Sequence, residues 1–223
     1  MPHARSGEVG DAAWRDYTRL LLTLYDPFVV GPIARFVWRC PSPLLVDEYR
    51  RRIRAPHLDI GPGTGYFIDR SGLPDGSDVT IVDPNRNVLR HATRRLARLN
   101  VRAIEASVLQ ALPVSGPFGS AALHLVLHCL PGPTERKAAA VANVAATLAP
   151  GGVLFGATVL GTSGDHSWLA RRILWAFNRR GAFDNLGDSV DGLRAILEAS
   201  FDQVDLTTIG SIATFVATKS AAP

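Results

Sequence analysis

The chain has 223 residues, of which 47% are hydrophobic and 20% are charged. This composition excludes disorder over most of the length, and the length is sufficient for one domain with a sizeable core. The formal net charge is a modest +4, and acidic residues are mixed with the basic ones throughout. Because no block of like charge stands apart, the charge pattern disfavours nucleic acid as a partner.

The N-terminal segment, residues 1–54, is predicted to form a cap of two or three helices that are separated by prolines. Its longest apolar region, from Leu20 to Trp38, is interrupted by two charged residues and two prolines, and the first residues lack the apolar stretch of a signal peptide. Neither cysteine, Cys40 or Cys129, belongs to a pair with metal-ligand spacing. We therefore expect a cytoplasmic protein with no membrane segment and no metal site.

From His57 onward, short β-like runs alternate with helical patterns. Strands that are largely apolar and alternate with helices indicate a parallel sheet that is covered on both faces, so we predict a doubly wound α/β fold. The predicted strands are residues 57–60, 78–83, 101–106, 120–128 and 152–160, and the predicted helices between them are residues 85–99 and 134–148.

The last part of the chain has a different pattern. Residues 167–180 and 188–201 have the apolar spacing of helices, and two β-like runs then follow with Ile209 and Gly210 between them. This pattern predicts an antiparallel hairpin at the end of an otherwise parallel sheet.

The segment HLDIGPGTGYF, residues 57–67, predicts a ligand-binding turn. Gly61, Gly63 and Gly65 follow the first predicted strand, and a helix is expected to begin near Tyr66. In this context the backbone can approach a ligand without obstruction by Cβ atoms. A dinucleotide fingerprint requires a glycine at position 66, which is tyrosine, and no P-loop sequence follows. The turn therefore favours a nucleotide without a diphosphate.

Asp83 ends the second predicted strand, at the sheet edge where open α/β sheets bind ligands. Its two carboxylate oxygens can each accept a hydrogen bond from one ribose hydroxyl. Taken alone, the residue is equally suited to cap the helix that begins after Pro84. Its position beside the glycine turn favours the ribose contact and predicts a nucleoside site.

These features together resemble the class I S-adenosylmethionine-dependent methyltransferases over about residues 57–160. The first motif of that family, hh-[DE]-h-G-x-G-x-G, is matched by residues 58–65, the acidic end of the second strand by Asp83, and the P-G-G turn by residues 150–152. The resemblance implies a Rossmann-like seven-stranded methyltransferase sheet, with S-adenosyl-L-methionine as cofactor and S-adenosyl-L-homocysteine as product. Two further stretches, LHCLPG at residues 127–132 and WRCP at residues 38–41, are similar to a subgroup that acts on small molecules.

The resemblance also implies which residues contact the cofactor. Ser107 stands where many members have an acidic residue for the adenine amino group, and Gly119 replaces an aspartate that is often found before the fourth strand. A tyrosine of the N-terminal cap is expected to close the site, and its aromatic face suits a sulfonium cation. The predicted cofactor residues are Tyr25, Asp59, Gly61, Pro62, Gly63, Thr64, Gly65, Asp83, Pro84, Asn85, Ser107 and Val108.

Methyl transfer is an in-line displacement, so much of the rate can come from holding donor and acceptor close together, and a base is optional. If the acceptor must lose a proton, a histidine near the cofactor is the expected base. His124 and His128, on or just after the fourth predicted strand, are the candidates. The alternative for each is a hydrogen-bonded histidine of the core.

The insertion after the fifth strand, residues 161–189, is where the family builds its acceptor pocket, and its apolar content predicts an apolar or aromatic acceptor. Ordinary helix packing is the alternative for each of its residues. The candidate substrate residues are His166, Trp168, Trp175, Phe183 and Asn185. We divide the single domain into a helical cap, a cofactor-binding core, this insertion, and a final helix with the hairpin, at residues 1–54, 55–160, 161–189 and 190–223.

The favoured function is O- or N-methylation of a small molecule in secondary metabolism by a monomer or homodimer. An RNA or protein methyltransferase is an alternative, although HCLPG follows the fourth strand where amino-directed nucleic-acid enzymes carry [DN]-P-P-[YFW]. The third hypothesis is a protein that has this fold but does not transfer methyl groups. Arginines at positions 86, 90, 94 and 98 share one helical face, which favours a solvated surface.

Overall fold

The computed structural model describes residues 33–162 and 164–220. Its centre is a seven-stranded sheet with the strand order β3-β2-β1-β4-β5-β7-β6. Strands β1 to β5 pair in parallel, and β7 runs antiparallel to both β5 and β6. This arrangement confirms the predicted Rossmann-like sheet with a C-terminal hairpin. The strands are β1 (His57–Ile60), β2 (Asp78–Asp83), β3 (Asn100–Glu105), β4 (Phe118–His124), β5 (Leu148–Val159), β6 (Gln203–Ile209) and β7 (Ile212–Thr218).

Helices cover both faces of the sheet, as the alternating pattern predicts. They are α1 (Ser42–Arg52), α2 (Tyr66–Asp69), α3 (Arg86–Arg95), α4 (Thr134–Ala145), α5 (Trp168–Arg179) and α6 (Val190–Glu198), with a 3₁₀ turn at Leu127–Cys129. Among the described residues, no helix is both long enough and apolar enough to span a membrane. Of the predicted N-terminal cap, α1 and the residues around it are described, whereas Tyr25 lies outside the described residues.

The two faces of the sheet carry separate hydrophobic clusters. Helices α1, α2, α3 and α5 pack on one face, and α4 and α6 pack on the other. Because side chains alternate along a strand, Leu58 and Ile60 of β1 join the cluster under α4 and α6. The polar residues that alternate with them, His57 and Asp59, face the side of α1, where Asp59 contacts Tyr49. The pleat therefore places a carboxylate in the interior on the side of α1.

Several predicted boundaries are wrong. Strand β5 begins at Leu148 instead of residue 152, so the P-G-G sequence at residues 150–152 lies within the strand. The helices predicted to end at residues 99 and 148 end at Arg95 and Ala145.

The fourth strand ends at His124 instead of residue 128, because Leu125 has a left-handed φ of 61° and the chain then turns into the 3₁₀ helix. In the hairpin, Ile209 pairs with Ile212, so the turn is Gly210–Ser211 and not Ile209–Gly210. Gly210 has a φ of 58°, which favours glycine at that position.

A buried ion pair ties the insertion to α4. Lys137 is 3% exposed, and its ammonium donates to both carboxylate oxygens of Asp188, at 2.6 and 2.7 Å, and to the carbonyl of Asp184 at 2.7 Å. The backbone carbonyl of Asp188 accepts hydrogen bonds from the amides of Gly161 and Thr162. One short segment is thus joined both to α4 and to the end of β5.

Replacing Lys137 by methionine should lower the free energy of unfolding by about 3 kcal/mol, because the Asp188 carboxylate, whose side chain is only 19% exposed, would lose its cation. The measurement is urea denaturation of the full chain. Arg194→Met is the matched control, since Arg194 and Glu198 form an exposed pair with side-chain exposures of 42% and 54%, and its loss should stay below about 1 kcal/mol. Equal losses in the two variants would show that Lys137 does not stabilise the insertion.

Candidate active site

The glycine turn joins β1 to α2 in a left-handed conformation. Gly61, Gly63 and Gly65 have φ values of 66°, 55° and 77°. A Cβ on Gly61 would lie 2.7 Å from Cγ2 of Val126, so this glycine is required by the close approach of the segment after β4. A Cβ on Gly63 would meet no atom of the described residues within 4 Å. Within this part of the chain, the backbone at Gly63 therefore borders space that a ligand can enter.

The remaining residues of the turn are held by the protein. The carbonyl of Pro62 accepts a hydrogen bond from the amide of Gly65 at 2.8 Å. Thr64 is 3% exposed, and the guanidinium of Arg95 donates to its hydroxyl at 2.9 Å and to its carbonyl at 3.2 Å. Since Arg95 also lies 3.6 Å from the carboxylate of Asp69, α3 braces the turn from outside.

Asp59 and Asp83 lie at or near the carboxyl ends of the neighbouring strands β1 and β2. Asp59 is 2% exposed and accepts a hydrogen bond from the hydroxyl of Tyr49. Asp83 is 7% exposed and accepts one from the amide of Asn85 at 2.7 Å. Burial raises the pKa of Asp83 to about 7, and the negative charge of Asp59 adds to the shift.

The N-cap of α3 is Asn85, whose side chain accepts a hydrogen bond from the amide of Asn87 at 2.8 Å. Asp83 is therefore not the cap of this helix, which removes the alternative that its position left open. Pro84 is exposed between the two.

The segment after β3 lies along the same edge of the sheet. The Ser107 hydroxyl accepts a hydrogen bond from the amide of Leu109 at 3.3 Å. A serine hydroxyl has a second lone pair, so Ser107 can still accept a bond from a ligand amino group. Val108 is 4% exposed, and its carbonyl accepts a hydrogen bond from the Asn143 side chain at 2.9 Å. This segment is thus anchored to α4.

His124 ends β4, beside β1, and is 8% exposed. Its ring lies 4.3 Å from the Phe67 ring and 5.3 Å from the Tyr49 ring, measured between centroids. Within the described part of the chain, neither of its ring nitrogens has a hydrogen-bond partner. Burial lowers the pKa of His124 to about 3, so the imidazole is neutral at neutral pH.

His128 lies in the 3₁₀ turn and has partners that His124 lacks. Its Nδ1 accepts a hydrogen bond from the amide of Val159 at 3.2 Å, and its ring packs at 4.4 Å against Phe183. Burial lowers its pKa to about 3 as well. These contacts favour the core interpretation for His128, which leaves His124 as the stronger candidate for a chemical role.

The candidate substrate residues fall into different environments. Asn185 is 1% exposed, and its side-chain oxygen accepts a hydrogen bond from the Asn178 side chain at 2.9 Å. Its backbone amide donates to the Asn178 side-chain oxygen at 3.0 Å and its side-chain amide donates to the carbonyl of Val159, so the side chain is engaged in holding the insertion. Phe183 packs between His128 and the rings of Trp38 and Phe177.

The other three candidates lie at the surface of the insertion. Trp168 and Trp175 are 67% and 56% exposed on α5, whose inner face buries Ala170 and Leu174. His166 is partly buried just before this helix. The two tryptophans therefore point away from the core, and the structure does not bring them together with the glycine turn.

Sequence reasoning missed Tyr49, which is 1% exposed and contacts both Asp59 and His124. It lies in α1 within a charged stretch, DEYRRR, and so does not stand out. The available signal was its spacing from Leu45 and Val46, which places the three residues on one buried helical face.

Comparisons with protein families and with individual proteins both find methyltransferases. The family profile described as a methyltransferase domain matches residues 58–154. A demethylluteothin O-methyltransferase from Streptomyces thioluteus is 36% identical over 198 residues, which cover 88% of this chain and 86% of that protein. A physcion biosynthesis cluster O-methyltransferase from Aspergillus chevalieri is 32% identical over 222 residues, which cover 98% of this chain and 99% of that protein.

Among solved structures, the N-methyltransferase NodS from Bradyrhizobium japonicum, in complex with S-adenosyl-L-homocysteine, superposes with a TM-score of 0.63. The identity is 14%, and the match covers 95% of this chain and 98% of that one, so it supports the fold. The sequence match to relatives over almost their whole length goes further and confirms both the predicted enzyme class and its cofactor. The chain belongs to the class I S-adenosylmethionine-dependent methyltransferases.

Proposed function

We propose that this methyltransferase acts on a small apolar or aromatic molecule that presents a hydroxyl or amino group, in cytoplasmic secondary metabolism. The observation that carries the proposal is the neutral imidazole of His124 at the carboxyl end of β4, the strand next to β1. Its ring nitrogens have no hydrogen-bond partner among the described residues, and its ring contacts Tyr49, which donates to Asp59. The relatives support the substrate class, because the names of the Streptomyces and Aspergillus enzymes refer to O-methylation and to small metabolites.

The residues of the sheet edge fit S-adenosylmethionine. Gly63 leaves open space against the backbone, which a Cβ would partly fill. We assign Asp83 to the ribose hydroxyls, since its one described hydrogen bond comes from the Asn85 amide and leaves lone pairs for a ligand. We assign Asp59 to the methionine ammonium group and Ser107 with Val108 to the adenine. Tyr25 is proposed to close the site from the N-terminal segment.

The cofactor supplies a methyl group that its sulfonium activates for displacement, and the chain has to orient the acceptor and exclude water. His124 is surrounded by Phe67 and Tyr49, so the space around its ring is apolar. A neutral imidazole there accepts a hydrogen bond from an acceptor hydroxyl or amine. From a hydroxyl it takes the proton, which becomes strongly acidic as the oxygen gains the methyl group. An acidic hydroxyl, as in a phenol or enol, suits so weak a base best.

The acceptor is proposed to bind between the sheet edge and the insertion. Phe183, packed on His128 and Trp38, gives an aromatic wall on the insertion side, and His166 is the polar candidate near it. Trp168 and Trp175 can contribute only at the outer rim, because their side chains are mostly exposed.

Replacing Gly63 by alanine should weaken binding of S-adenosyl-L-homocysteine by at least about tenfold, because the new methyl group would project into the cofactor space. Gly76→Ala is the matched control, since Gly76 has a comparable φ of 76° and equally open surroundings but lies before β2. Both variants should lose about 1 kcal/mol of stability from the left-handed backbone. Calorimetric titration measures the affinities, and an equal loss in both variants would contradict the assignment of Gly63.

Cofactor affinity should depend on pH through Asp83, whose pKa of about 7 means that it carries a proton over part of the neutral range. The Asp83 side chain has to be an ionised carboxylate to accept hydrogen bonds from both ribose hydroxyls. It must therefore lose its proton when the ligand binds. Affinity for S-adenosyl-L-homocysteine should therefore fall about tenfold from pH 8 to pH 6. In Asp83→Asn the affinity should be lower at pH 8 and flat over this range; a slope equal to that of the wild type would assign the titration to another group.

The variant His124→Phe keeps a ring between Tyr49 and Phe67 but removes both nitrogens. It should lower kcat by about 100-fold, the lower end of the range for a general base, with little change in cofactor affinity. His124→Gln, which keeps a polar group that can accept a hydrogen bond, should lose less. The assay follows release of S-adenosyl-L-homocysteine with a panel of phenols, enols and amines. Wild-type turnover in His124→Phe would remove this residue from the chemistry.

A further inference from the structure

Tyr49 lies between the cofactor carboxylate and the candidate base. It projects from α1 and is 1% exposed. Its hydroxyl donates a hydrogen bond to Oδ2 of Asp59, and its ring meets the His124 ring edge to face, with centroids 5.3 Å apart and planes at 74°. One side chain of the helical cap thus contacts both groups of the proposed reaction centre.

The contacts of Asp59 are confined to one of its two oxygens. Tyr49 donates to Oδ2, and Nε2 of His57 lies 3.5 Å from the same oxygen. Within residues 33–162 and 164–220, no side chain and no helix-capping group donates a hydrogen bond to Oδ1 of Asp59. Since a carboxylate has room for several donors, a buried Asp59 with an unengaged oxygen is suited to a charged ligand group.

The imidazole behind Asp59 is fixed by its own partners. The Ser120 hydroxyl donates to the carbonyl of Arg54 at 2.7 Å, so its oxygen acts as the acceptor for Nδ1 of His57 at 2.8 Å. This bond crosses from β1 to β4 and orients the His57 ring toward Asp59. Since Nδ1 donates to Ser120, Nε2 of His57 has no hydrogen-bond partner among the described residues, and Tyr49 is the described side chain that donates to the Asp59 carboxylate.

The ring of Tyr49 is fixed by aromatic packing. It stacks on Phe67, with centroids 5.8 Å apart and planes at 15°, and it meets Phe155 edge to face at 4.9 Å. Burial raises the pKa of Tyr49 well above its ordinary value, and the charge of Asp59 raises it further. The hydroxyl therefore keeps its proton and remains a donor at neutral pH.

We propose that Tyr49 is a positioning residue for the cofactor: its hydroxyl holds Oδ2 of Asp59 so that Oδ1 is presented to the ammonium group of the methionine moiety. The proposal rests on the proposed assignment of Asp59 to that end of the cofactor. Its consequence is selectivity within the ligand, because Tyr49 should contribute to binding of the amino acid portion and not to binding of the adenosine portion.

The test compares two ligands in Tyr49→Phe, which removes the hydroxyl and keeps the ring packing. S-adenosyl-L-homocysteine carries the amino acid, and 5′-methylthioadenosine has the same nucleoside and sulfur without it. Calorimetry should show about a tenfold loss of affinity for the first ligand and a change within about twofold for the second. Asp59→Asn should show the same selective loss, and Tyr49→Phe in that background should add little to it.

Thr147→Val is the control, because it removes a hydroxyl that donates to the carbonyl of Val144 at the opposite edge of the sheet, and neither affinity should change. Equal losses for both ligands in Tyr49→Phe would reduce Tyr49 to a structural role and overturn the proposal. Unchanged affinity for both would overturn it too. A wild-type chain that binds neither ligand would instead refute the cofactor site itself, and the role of Tyr49 with it.

Discussion

Two carboxylates, those of Asp59 and Asp83, are buried at the carboxyl ends of adjacent strands. Both need hydrogen-bond partners, and the rest of the site is arranged around that need. A buried charge is costly unless it is paired. Asp59 has the Tyr49 hydroxyl, whereas the side chain of Asp83 receives a hydrogen bond from one backbone amide, and its pKa rises to about 7. In the proposed assignment, the ribose hydroxyls and the ammonium group of the cofactor supply the missing partners. The glycine turn after β1 provides the space, since no atom of the described residues lies within 4 Å of a Cβ placed on Gly63.

The same burial has different consequences for the two histidines. His128 and His124 both have their pKa lowered to about 3, but His128 is bonded to the backbone of β5 and packed on Phe183. Buried polar groups in folded proteins nearly always have partners, and the two nitrogens of His124 have none among the described residues, which supports the proposed contact with the acceptor. We therefore propose a structural role for His128 and a chemical role for His124.

Local patterns were sufficient to predict the sheet, the glycine turn and the position of Asp83 at the end of β2, because strand alternation and turn chemistry act over a few residues. They failed where the local structure depends on contacts between residues that are far apart in the sequence. The end of β4 depends on the left-handed backbone of Leu125, a β-prone residue that gives no turn signal. Tyr49 is recognisable only once α1 lies against Asp59. The pairing of Asn185 with Asn178 likewise depends on how the insertion folds back on α5.

We propose that this sheet edge holds the cofactor through Asp59, Gly63 and Asp83. A crystal structure of the full chain with S-adenosyl-L-homocysteine is the decisive test. We expect both ribose hydroxyls to lie within hydrogen-bonding distance of the Asp83 carboxylate, and the amino group of the ligand to lie at Oδ1 of Asp59. A ligand that is bound elsewhere, or one that is bound here with its ribose away from Asp83, would contradict this proposal.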